Sequence, residues 1–135
     1  MTELVNHTGR ELELMLAGLK PMAMFYAQTD ELPNEEFVPD VAFRPHVKAG
    51  TLARAEIELG TTTPAGTPTV VRYVFFALRS EEWRMQVMAI LVRNLYAGGG
   101  WNETCERVQG TLLGYSDAEN DAHWARLRAF HAGAP

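Results

Sequence analysis

The sequence predicts an α+β domain in which a small antiparallel sheet of three to four strands packs against helices, in the order α-β-β-β-α-α-α. Strand-like segments are grouped between residues 22 and 78, alternating in polarity or continuously apolar. Helix-like segments with capping residues follow in a block after residue 80. A chain of 135 residues, 47% apolar and 21% charged, has the size and composition of one domain with its own core.

The first helix is expected over 8–18. Thr8-Gly9-Arg10-Glu11 fits a capping box, Leu12, Met15, Leu16 and Leu19 recur at helical spacing, and Gly18 and Pro21 supply a stop. Met22 to Ala27 is a short apolar run after a proline and reads as a buried strand. Residues 28–40 carry five acids and no base, with Pro33 and Pro39, and predict a solvated loop with a helical turn near Glu35. Residues 41–50 fit either helix or strand.

From 52 to 59, Ala53, Ala55, Ile57 and Leu59 alternate with Arg54, Glu56 and Glu58, as a half-exposed strand requires. The turn-rich 60–68 connects it to a more buried strand at 69–78, giving an antiparallel hairpin. Ser80 is the expected N-cap of a helix over 81–96, with Trp83, Val87, Ile90, Leu91 and Leu95 on one side and Met85, Met88 and Val92 elsewhere. Gly98-Gly99-Gly100 ends it. Asn102 caps a helix over 103–113 with Cys105, Val108 and Leu112 as its stripe, and Gly114 stops it. Ser116 and Glu119 form a second capping box opening a helix over 117–130, with Trp124 and Leu127 inward. Helices are expected on one side of the sheet, and the tail 131–135 is expected to fray.

Composition narrows the function. Net charge is −5, and the twelve bases, ten of them Arg, are scattered, which argues against a nucleic acid or an anionic membrane as partner. The single cysteine, Cys105, forbids an intrachain disulfide and points to a reducing, cytoplasmic setting, and no secretory signal is expected from the N-terminus. No apolar run approaches the roughly 18 residues of a membrane span.

No residue pattern specifies a catalytic set, a metal or a cofactor. The Glu119/His123 pair lacks further ligands, and its first member is needed for the capping box. The acids Asp117, Glu119 and Asp121 lack an EF-hand pattern and suit a helix start. Gly98-Gly99-Gly100 follows a helix rather than a strand, which favours a linker over a phosphate loop. Cys105 shares an apolar stripe and reads as a packed thiol. The two sequons, Asn6-His7-Thr8 and Asn102-Glu103-Thr104, read as capping segments.

Two functional readings remain. The first is a non-enzymatic domain, inhibitory, antitoxin-like or regulatory, that meets a protein partner through Asp30, Glu31, Glu35, Glu36, Glu56 and Glu58. The second is a small-molecule-binding protein or small enzyme whose pocket gathers Arg44, His46, Trp83, Arg84, Tyr96 and Trp101, with His46 as acid and base. A homodimer pairing the alternating strand with its twin is a further expectation.

Overall fold

The computed structural model describes residues 7–132, with side chains as far as Phe130. In chain order it holds helix α1 (Glu11–Leu16), strand β1 (Met22–Gln28), helix α2 (Asp40–Lys48), strands β2 (Leu52–Thr62) and β3 (Pro68–Leu78), and helices α3 (Trp83–Tyr96), α4 (Glu103–Leu112) and α5 (Asp117–Ala132). Short 3-10 turns, Thr29–Glu31 and Arg79–Glu81, precede the loop to α2 and the start of α3. The α+β class and the element order follow the expectation. The ambiguous 41–50 segment resolves as helix, leaving three strands. The expected tail 131–135 begins inside α5, and residues 133–135 lie outside the described residues.

The strands pair antiparallel in the order β1-β3-β2, so the strand richest in aromatic and β-branched residues takes the centre. Phe75 and Phe76, adjacent in β3, therefore point to opposite faces and anchor two cores. On one face, Met22, Ala53, Tyr73, Phe75 and Ala77 pack against Met85, Met88, Ala89 and Val92 of α3 and Leu112 of α4. On the other, Ala23, Leu52, Val74 and Phe76 pack against Met15 of α1, Val38 of the segment before α2, and Phe43 of α2. Helices thus cover both faces, not one. Long-range packing of α2 produces the second layer. Phe43 stacks on Phe76 at 4.1 Å between ring centroids and meets Phe25 edge-on at 5.7 Å.

Local chemistry accounts for the helix ends, including two expected caps that do not form. Gly9 takes a φ of +79°, turning the chain before Glu11, so the helix starts two residues past the expected Thr8 capping box. Arg79–Glu81 winds directly into α3, and Glu82 already has helical dihedrals, so Ser80 has no extended position from which to cap. The remaining caps follow the sequence: Asn102 accepts from the Cys105 N–H at 3.0 Å, and Ser116 and Glu119 exchange hydrogen bonds at 2.9 and 3.1 Å. The cap of α2 comes from upstream. The Glu35 carboxylate accepts the N–H groups of Val41 and Ala42, both at 2.9 Å.

On α3 the structure selects the slender face. Met85, Met88, Ala89 and Val92 are buried, while Trp83, Val87, Ile90 and Leu95 stay exposed. Ala89 lets the helix sit close to the sheet, and unbranched Met side chains fill the gap.

Candidate functional site

The most distinctive polar arrangement lies where α4 and α5 meet the segment before β1. Lys20, between Leu19 and Pro21, is only 2% exposed. Its ammonium donates to the carbonyl of Leu113, the C-cap residue of α4, and contacts His7 Nδ1 at 2.8 Å. A charged Lys20 requires His7 Nδ1 to accept, which leaves the ring proton on Nε2. Tyr115 covers both groups. Its ring stacks on His7 at 4.0 Å and lies 5.2 Å from Lys20 Nζ. Burial pushes the Lys20 ammonium down to about 8, against the weaker opposing pull of Glu11 and Glu119. His7 is lowered by burial and then by Lys20, and Tyr115 is raised by burial and then by Glu119.

Tyr115 also lines a cavity of about 490 Å³ between α4 and α5. Glu106, Gln109, Gly110 and Leu113 come from α4 and the segment after it, with Glu119, Asn120, His123 and Arg126 from α5; Thr8 and Tyr115 complete the wall. These positions recur every three or four residues on each helix, so two polar stripes face each other. At Gly110 a side chain is excluded, because Asn120 Oδ1 occupies the space a Cβ would need. Asn120 is buried and donates to Thr111 Oγ1 at 3.1 Å.

The lining is partly committed. Glu106 accepts from Trp101 Nε1 at 2.7 Å and pairs with His123 Nε2 at 3.0 Å. Glu119 serves the capping box. The Arg126 guanidinium, the Gln109 amide and the Tyr115 hydroxyl make no hydrogen bond or ion pair among the described residues. Arg126 is near enough to Tyr115 to favour its ionised form. All three groups are donors.

The six residues expected to share a pocket do not converge. Arg44 and His46 lie on α2 and Trp83, Arg84 and Tyr96 on α3, with the sheet between them. Arg44 lines a shallow groove with Asp40, Val47, Lys48, Arg54 and Phe76, and His46 is half-buried. Trp83 donates to Glu81 at 3.1 Å and carries the Arg84 guanidinium over its ring at 4.7 Å. Arg84 also pairs with Glu81 at 2.9 Å and donates to the carbonyls of Thr111 and Leu112, capping α4. The hydroxyls of Tyr96 and Tyr73 are 3.0 Å apart. Only Trp101 reaches the cavity, through Glu106.

Of the residues expected to meet a partner, Asp30, Glu31, Glu35 and Glu36 are exposed, although Glu35 is used as the α2 cap and Glu31 accepts the Gln28 N–H. Glu56 and Glu58 are exposed and paired with Arg54 and Arg72. Among the described residues, no group of three or more His, Cys, Asp or Glu is placed to hold a metal ion, and no helix is long and apolar enough to cross a membrane.

Sequence reasoning missed Lys20, His7 and Tyr115. Lys20 joins a carbonyl 93 residues away, so no local pattern marks it. No protein-family model matches the chain, and no curated protein or solved structure matches it.

Proposed function

We propose that this chain is a small-molecule-binding protein whose ligand carries a carboxylate and occupies the cavity between α4 and α5. One observation supports this reading above the others: Arg126, Gln109 and Tyr115 bring three donors, uncommitted among the described residues, to one hollow of ligand size. A carboxylate accepts from all three, and a guanidinium can hold it through two parallel hydrogen bonds. Glu106 and Glu119 keep their charge at this wall, engaged by Trp101, His123 and the Ser116 N–H, and the Arg126 guanidinium supplies the attraction for an anion. Tyr115 is held in place by His7 and Lys20. The free thiol Cys105 fits a reducing compartment such as the cytoplasm.

A panel of small carboxylic acids, amino acids included, tests the proposal by amide chemical-shift mapping. Binding should move α4 and α5 resonances, and Arg126→Met should weaken it by about 10–100-fold, the worth of one charge-assisted pair. The absence of any α4 or α5 shift at millimolar acid would sink the idea.

A second reading, a regulatory domain docking on a basic protein partner, draws on the four exposed acids Asp30, Glu31, Glu35 and Glu36. Native mass spectrometry of gently purified protein separates the two. A retained small molecule supports the cavity, and a retained foreign protein chain supports the acidic loop.

A further inference from the structure

We propose that the free edge of β2 pairs antiparallel with β2 of a second copy of this chain, about a two-fold axis at Ala55. Among the described residues, strand β2 is hydrogen-bonded on one side only. Its pairing with β3 runs unbroken from Leu52↔Leu78 to Thr62↔Pro68, so it has no bulge. It also contains no proline. Bulges and prolines are two of the devices that blunt an edge; charged side chains are another, and β2 carries Arg54, Glu56 and Glu58, so their arrangement decides what it can pair with. A groove of about 660 Å³ crosses this edge, lined by Val47 from α2 and by Met85, Ala89 and Ile90 from α3. Arg54 and Ala55, which point to opposite faces, both line it. Ile90 stands at its α3 side, 67% exposed, with Val87 and Trp83 continuing the apolar strip.

The charges of β2 select the occupant and the register. In an antiparallel pair, facing residues point to the same side, so Ala53, Ala55, Ile57 and Leu59 must face their own kind. Centring on Ile57 opposes Glu56 to Glu58 twice. Centring on Glu56 opposes that residue to itself. Centring on Ala55 opposes Arg54 to Glu56 of the second copy twice, with no like charges facing, and sets Ala53 against Ile57. Within each chain Arg54 already binds Asp40, at 2.8 and 3.1 Å, and its own Glu56 at 3.1 Å, and Glu56 also binds Arg72 at 3.1 Å. The Asp40–Arg54–Glu56–Arg72 network of each chain would then be joined to that of the second copy through the two facing Arg54–Glu56 pairs. The strand is complementary to itself, which favours a second copy over a foreign strand.

Sedimentation of the full chain at micromolar concentration should show a dimer. Arg54→Glu and Glu56→Arg, applied singly, each turn both bridging pairs into like-charge pairs and should weaken the dimer by about tenfold or more. Mixing the two variants makes every bridging pair complementary again, so the mixture should form a heterodimer. That recovery also shows that both variants are folded. A monomeric wild-type chain, or variants that dimerise as well alone as mixed, would overturn the proposal. A wild-type monomer that binds a foreign peptide along β2 would equally overturn self-pairing.

Discussion

At the scale of single residues, the buried Lys20 has the clearest consequence. Its ammonium titrates near 8 in the folded chain and near 10.5 in solvent. Between these values the unfolded chain holds a proton that the folded chain has released, so stability rises with pH across that window. The rise is bounded at roughly 3 kcal/mol by the size of the shift. His7 acts at lower pH in the same sense. Its folded pKa is lowered by burial, so stability falls as pH drops below about 6.5 and the unfolded imidazole takes up its proton first. Lys20→Met should remove the rise between pH 8 and 10.5, and at pH 7 should cost about 1–3 kcal/mol, because Leu113 O and His7 Nδ1 lose their donor. Urea midpoints measured from pH 5 to 11 check both. A variant with the wild-type slope would show that another group titrates there.

Helix packing sets the consequences at the scale of elements. The approach of α4 to α5 depends on Gly110, since a Cβ there would overlap Asn120 Oδ1. Gly110→Ala should destabilise the chain by about 1–3 kcal/mol through overpacking and loss of the Asn120–Thr111 hydrogen bond. Adding Asn120→Ala should cost less in that background than in the wild type, because the two changes share one contact. Thermal melts of the four proteins give the coupling, and strict additivity would disprove the contact. Nothing in the sequence marked this pair. The elements that were legible are those whose cause is local: β1 from its apolar run, β2 from strict alternation, α4 and α5 from the Asn102 and Ser116 caps. The structure of α2 was hidden because Pro45 interrupts it and its cap is Glu35, outside the segment. The buried face of α3 was hidden because the helix is apolar nearly all round, so periodicity could not choose between Met88 and Ile90. The cavity was hidden for a third reason. Glu106 and His123 belong to separate helices and become neighbours only when these pack.

For the whole molecule, burial divides unevenly. In β3, Val71, Tyr73, Val74, Phe75, Phe76 and Ala77 are buried against helices on both faces. In α4 and α5, only Leu112 and Asn120 are buried among the described side chains. The helix pair that forms the cavity is therefore joined to the domain by Leu112 and Leu113 at the core and by polar contacts at the same end. Arg84 binds the carbonyls of Thr111 and Leu112, Lys20 binds that of Leu113, and Tyr115 stacks on His7. A region with few buried apolar groups opens at lower free energy than the global transition. Amides of α4 and α5 should thus exchange faster than those of β3. Arg84→Met removes two of the tethering hydrogen bonds and the pair with Glu81, at a cost of about 1–2 kcal/mol. It should speed exchange in α4 and α5 by about tenfold while leaving β3 amides that exchange by other routes unchanged. A carboxylate held by Arg126 and Gln109 bridges the two helices, so saturating ligand should reverse part of that acceleration. If Arg84→Met accelerated β3 and α5 equally, the helix pair would not open separately, and entry to the cavity would need global unfolding or the existing mouth.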